Sequence, residues 1–426
     1  MSKLRKYKFS DLYTMSSGIS STKEQAGHGT PFLSFSAVFN NYFVPDELTE
    51  LMDASEKQQE SYSIKEGDIF LTRTSEVVDE LAMSSVAIKD YPSATYSGFL
   101  KRLRPTQVNV SYPKFMAFYL RSSLFRKTMT NNAVMTLRAS LNEDIFSYLD
   151  LLLPEFDEQV KIGDLLYAIN QKIELNKRIN TELESSAKML YDYWFVQFDF
   201  PDDNGNPYKT SGGKMVYNDI LKRAIPKGWE IGTISSIADL VRGVTYNKDD
   251  ITSSCDGDAV PILRATNITG NQIDTDDMVY VDKGLVDKKQ FLNKLDILIT
   301  MSSGSIDHIG KNGLYYFEEQ VAFGAFCAKL VAKQDYRYFL FGYTQSNFLQ
   351  QSIKNECLGT NINNLNASLV KGFKLVIPNS STIDLFNQKI ALIYKMIEIR
   401  QQESKKLIEL RDWLLPMLVN GQVKVQ

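Results

Sequence analysis

Between residues 101 and 142 the sequence places Lys101, Arg102, Arg104, Lys114, Arg121, Arg126, Lys127 and Arg138, with no acidic residue among them. Thr128, Thr130, Asn131, Asn132 and Thr136 are interleaved with these cations. The combination supplies ammonium and guanidinium groups for phosphate, and amides and hydroxyls for the edges of bases. The acids are segregated upstream, where Asp46, Glu47, Glu50, Asp53, Glu56 and Glu60 are expected on one surface helix. A second window, 325–366, is weaker: Lys329, Lys333, Arg337 and Lys354 stand against Asp335 and Glu356. An ordinary solvated surface is the competing reading of both windows. Side-chain type and expected loop or surface position select Arg73, Arg102, Arg104, Arg121, Lys127 and Arg138 in the first half, and Arg242, Arg264, Asn267, Lys311 and Asn312 in the second, as nucleic-acid contacts.

Catalytic chemistry is sparse. The only histidines, His28 and His308, lie among Gly and Ser, where a solvated loop histidine is the default and general acid–base work has few partners. Gly304-Ser-Ile-Asp-His-Ile-Gly310-Lys311-Asn312 resembles a phosphate-cradling loop, but it has five residues between the glycines and lacks the Ser or Thr that would bind Mg²⁺. It reads better as a turn after a strand. Cys255, Cys327 and Cys357 are odd in number and scattered, without zinc-site spacing, which points to reduced thiols in the cytoplasm. No catalytic, cofactor or metal site is expected on this chain. The basic N-terminus runs into Tyr7, Phe9 and Asp11 without an apolar core, so no signal peptide is read, and no eighteen-residue apolar window would span a membrane. A net charge of −3 does not by itself suggest a nucleic-acid binder.

Two long helices would have to position the basic surfaces. From Phe156 to Trp194, Ile162, Leu166, Ile169, Ile173, Asn176, Asn180, Leu183, Ala187, Leu190 and Trp194 alternate steps of four and three, the period of a coiled-coil seam. From Ile383 to Leu418 the same stripe reads Phe386, Ile390, Ile393, Ile397, Arg400, Ser404, Leu407, Arg411, Leu414 and Leu418, each 224 residues after its counterpart. Ile162, Leu166, Ile169, Ile173, Leu183, Leu190, Ile390, Ile393, Ile397, Leu407 and Leu414 are assigned to partner docking and helix pairing. The polar residues at the centre of both seams either fix register or mark a solvent-exposed crossing.

The repeat extends upstream. Leu-Leu-Leu-Pro at 151–154 faces Leu-Val-Ile-Pro at 375–378, and Tyr112, Phe115, Tyr119 and Ser122 face Tyr336, Phe339, Tyr343 and Ser346. The offset then drifts: 227 between Phe99 and Phe326, 228 between Asp68 and Asp296, 230 between Pro31 and Pro261, as small loop insertions produce. At 426 residues, 43% hydrophobic and 12% aromatic, the chain can build more than one core. The fold class is α+β: mixed α/β domains at 1–153 and 226–377, long helices at 154–200 and 378–426, and a Pro/Gly/Asn-rich linker at 201–225.

This plan resembles the specificity subunit of Type I restriction-modification systems. The resemblance rests on Pro154-Glu-Phe-Asp-Glu-Gln159 leading into Ile169-Asn-Gln-Lys-Ile-Glu-Leu-Asn-Lys-Arg-Ile-Asn180, on Pro226-Lys-Gly-Trp229, and on Asp296-Ile-Leu-Ile-Thr300 before a Gly-rich turn. It departs at Pro378-Asn-Ser-Ser-Thr-Ile-Asp384, which lacks the Glu-Gln pair, and at the first half, which has no Pro-Lys-Gly-Trp and leaves the usual circular closure unread. The resemblance implies two target-recognition domains joined by antiparallel helices, each reading one half of a bipartite, asymmetric double-stranded DNA site. It also implies docking of two modification subunits on the helices, with restriction subunits joining. S-adenosylmethionine, ATP and Mg would then belong to those partners, and partner contacts to phosphate would explain the low charge of this chain. The rivals are an enzyme in its own right and a coiled-coil scaffold that joins partners without reading DNA.

Overall fold

The computed structural model describes residues 3–20, 22–75, 80–132, 139–140, 143–253, 257–333, 335–360 and 364–425. The chain divides into two compact units, residues 1–175 with 404–426, and residues 176–403. Helix α1 (Phe156–Tyr191) and helix α2 (Ser380–Val419) occupy the expected heptad stretches. The units divide within both helices. The reason is burial: Ile162 and Leu166 of α1 join Leu415, Leu418 and Val419 of α2 in the first core, while Ala187 and Tyr191 join Phe386, Ile390 and Ile397 in the second.

In unit 1 a four-stranded antiparallel sheet runs in the order Tyr13–Ser17, Leu100–Pro105, Ile69–Thr72, Ser84–Val86. Ile69–Thr72 is buried at every position, as expected of a β-rich apolar run covered on both faces. Beside this sheet lies a three-stranded one, Glu50–Met52, Ala26–Leu33, Thr95–Tyr96, whose last strand runs parallel to the central one. Arg5–Lys8 pairs with Asp150–Leu153. Phe9 and Leu12 share their core with Leu415, Leu418 and Val419, so the two ends of the chain close on one another within this unit.

Unit 2 repeats these three sheets. Its four-stranded sheet runs Ala238–Arg242, Cys327–Ala332, Ile297–Thr300, Asn312–Leu314; its three-stranded sheet runs Val279–Asp282, Ala259–Leu263, Ala322–Phe323; and Glu230–Thr233 pairs with Lys374–Ile377. The stretch read as linker is folded. Phe200 stacks on Trp229 at 4.7 Å and on Tyr208 at 4.6 Å, and Met215–Asn218 forms a hairpin with Arg223–Pro226. Its Pro, Gly and Asn shape turns around aromatic anchors.

Within unit 2 the helices run antiparallel. Asn176 Nδ2 donates to Glu403 Oε2 at 2.8 Å, and Tyr191 faces Phe386. Asn176 and Asn180 are buried, which favours the register-fixing reading of the polar seam over a solvated crossing. Among the described residues no helix is long and apolar enough to cross a membrane.

Candidate nucleic-acid interface

The strand Leu100–Pro105 alternates faces, so Arg102 and Arg104 point the same way. That way is inward. Arg104 grips the buried Asp68 with Nε at 2.7 Å and Nη2 at 2.6 Å, and also donates to the Ser63 carbonyl at 2.9 Å. The hydrogen bonds to Asp68 raise the pKa of this guanidinium. Arg102 donates to the Ser63 carbonyl at 2.7 Å and lies over the Tyr96 ring. Unit 2 keeps the device with other residues, since Lys329 pairs with Asp296 at 2.9 Å.

Arg121 is likewise committed to the fold. It donates to the carbonyls of Ser84, Val38, Phe39 and Asn41 at 2.7–3.0 Å. Burial pushes its pKa down to about 10, and Arg121 and Arg411 each lie 4.9 Å from the Tyr42 ring centre. Arg102, Arg104 and Arg121 are therefore corrected from contact candidates to internal ties, because backbone carbonyls and one buried carboxylate take their donors. Arg73 and Lys127 are exposed, Lys127 on the helix Ser123–Asn132; Arg138 lies outside the described residues.

In unit 2, Asn267 and Asn312 are corrected in the same sense. Asn267 accepts from the Arg264 backbone N–H at 2.8 Å and donates to the Asp277 carbonyl at 2.9 Å, closing its own turn. Arg264 ion-pairs with Asp277 across that turn. Asn312 is buried, donates to the Gly310 and Thr344 carbonyls, and accepts from Thr344 Oγ1 and Gln345 Nε2, both at 2.7 Å. Arg242 is exposed and Lys311 half-buried.

Arg73 in unit 1, and Arg242 and Lys311 in unit 2, lie at one end of their four-stranded sheets. In unit 2, Arg242 Nη2 donates to the Ala325 carbonyl at 3.1 Å, and the Thr300 N–H donates to the Lys311 carbonyl at 2.8 Å. In unit 1, the Arg73 N–H donates to the Phe99 carbonyl at 2.9 Å, and Lys101 Nζ donates to Ser17 Oγ at 2.8 Å. The pairing registers make these ends equivalent, yet they carry different side chains. Ser17 stands where unit 2 has Arg242, Met83 where it has Lys311, and Arg73 where it has Met301. Sequence reasoning missed that Phe99 and Phe326 share these ends, although their offset of 227 was readable.

Among the described residues no group of three or more His, Cys, Asp or Glu side chains could hold a metal ion. Burial pushes the Cys327 thiol up to about 12, partly offset by the field of Arg242, so it stays protonated at neutral pH.

Comparison with known proteins bears on this arrangement. The description "Type I restriction modification DNA specificity domain" matches residues 1–185 and 226–410. The chain is 30% identical over 204 residues to the EcoKI specificity subunit of Escherichia coli K12, a match covering 47% of this chain and 44% of that protein. It is 24% identical over 407 residues to the MjaIX specificity subunit of Methanocaldococcus jannaschii, covering 95% of this chain and 89% of that one. A crystal structure of the S subunit of a type-I restriction-modification system from M. genitalium superposes with a TM-score of 0.54 at 13% identity, covering 98% of this chain and 96% of that one; it shares the fold. The chain thus aligns with less than half of the Escherichia coli relative.

Proposed function

This chain belongs to the Type I restriction-modification DNA specificity family, and on that premise we propose that it is the DNA-reading subunit of such a complex. Each unit reads one half of a bipartite, asymmetric double-stranded site. The observation that carries this is the duplicated sheet end: one backbone frame places Arg73 there in unit 1, where unit 2 has Met301, and Arg242 and Lys311 in unit 2, where unit 1 has Ser17 and Met83. A common frame with different donors suits two readers of different sequences. The chain itself catalyses nothing. Two modification subunits supply S-adenosylmethionine chemistry, restriction subunits supply ATP- and Mg-dependent cleavage, and the assembly works in the cytoplasm.

Ile162, Leu166, Ile390 and Ile397 of the seam are buried in the cores, and a second apolar stripe is left for partner docking. Leu392, Met396 and Ile399 step by four and three along α2 and are exposed, Leu392 by 70%. Trp413, further along the same helix, is 65% exposed. Exposed apolar rows of this kind suit a protein partner. The test is duplex binding by the assembled complex across a salt series. Binding should fall steeply with salt, and Lys127→Ala should reduce the log–log slope by about one. An intact complex whose duplex binding ignores salt would instead be the non-reading scaffold.

A further inference from the structure

Phe99 and Phe326 occupy one structural position in the two units and are 67% and 69% exposed. A phenyl ring left in water forgoes the gain of burial, and a single such ring on a surface needs no explanation. Two at the same position in a repeat that has otherwise diverged do.

The turns that present them are built alike and rigidly. The Gly98 N–H donates to the Ile19 carbonyl and the Ala325 N–H to the Val244 carbonyl, each at 2.8 Å. The Leu100 N–H donates to the Ser97 carbonyl and the Cys327 N–H to the Gly324 carbonyl, each at 2.9 Å. The Phe99 carbonyl accepts from the Arg73 N–H at 2.9 Å, and the Phe326 carbonyl from the Met301 N–H at 2.8 Å. Beneath each turn two segments cross so closely that a Cβ on Gly18 would lie 2.1 Å from the Ser97 carbonyl oxygen, and one on Gly243 2.1 Å from that of Gly324. The ring is thus held out by a fixed backbone, not by a loop that could fold it back.

An arginine adjoins each turn. Arg73 is hydrogen-bonded through its backbone to Phe99, and the Arg242 guanidinium reaches the carbonyl of Ala325, next to Phe326. An apolar ring on a rigid turn with an arginine beside it has the chemistry that meets a nucleic acid twice, the ring against base faces and the cation against phosphate.

We propose that Phe99 and Phe326 are wedges, each inserting at a base step within or beside the half-site read by its own unit. The inference rests on the DNA-reading function above. A wedge adds affinity with little demand on sequence, leaving discrimination to the polar groups around it.

The test uses the complex assembled with its modification subunits and duplexes that carry its split site, with 2-aminopurine placed at successive positions through each half. Wild-type complex should raise fluorescence at one step per half, where stacking is broken. Phe99→Ala should abolish the signal in one half only and weaken binding by about tenfold or more. Phe326→Ala should do the same in the other half, and Phe99→Leu and Phe326→Leu, which keep an apolar wedge, should retain it. Because both rings are exposed, the alanine variants should assemble and unfold as wild type does. Alanine variants that bind and fluoresce like wild type would overturn the wedge while leaving DNA reading intact. Variants that lose their modification subunits instead would make the rings protein contacts and overturn it equally. A wild-type complex without motif-dependent binding would remove the DNA-reading function itself.

Discussion

Arg121 sits among cations that composition marks for phosphate, yet its guanidinium ends on four backbone carbonyls between Val38 and Ser84. Those acceptors are 37–83 residues away, and residue type alone cannot reveal that they converge. Arg102 and Arg104 were no more legible: residue type selected them as nucleic-acid contacts, whereas Arg104 closes an ion pair with Asp68 that unit 2 matches between Lys329 and Asp296. Lys127, by contrast, is exposed and helical. Arg121→Ala should therefore cost about 3 kcal/mol by leaving several carbonyls without donors, whereas Lys127→Ala should stay within about 0.5 kcal/mol. Urea unfolding of the two variants checks this, and equal midpoints would refute the assignment.

At the scale of elements, the helices were legible because a stripe at 3.5-residue spacing survives any detail of the surroundings. Both run within a few residues of the expected bounds. The strand crossings under Phe99 and Phe326 were not legible, because a glycine in sequence does not say which carbonyl it meets. Gly18 and Gly243 occur at equivalent places, and each faces a backbone oxygen that cannot move aside cheaply. Gly18→Ala should destabilise by about 2–4 kcal/mol and speed amide exchange at residues 97–100. Gly243→Ala should do so at residues 324–327. Exchange that stays slow in both variants would show that the crossings yield more easily than the geometry implies.

For the whole molecule, the sequence carries its clearest message in the constant offset of 224 through the helices and its slow drift upstream, which anticipated two copies of one topology. It did not show that helix halves and the aromatic-anchored stretch around Phe200 and Trp229 join the cores, because that packing is encoded in no local pattern. Two copies with different charges at equivalent sheet ends predict one DNA motif made of two unlike halves. The most direct measurement is the methylation map of the host genome, read with the chain present, deleted, and carrying Arg242→Ala with Lys311→Ala. The account predicts a split methylated motif with a fixed gap that disappears on deletion, and a double variant that loses or relaxes one half while the other half holds. A map that does not change on deletion, with the partner subunits still expressed, would contradict it.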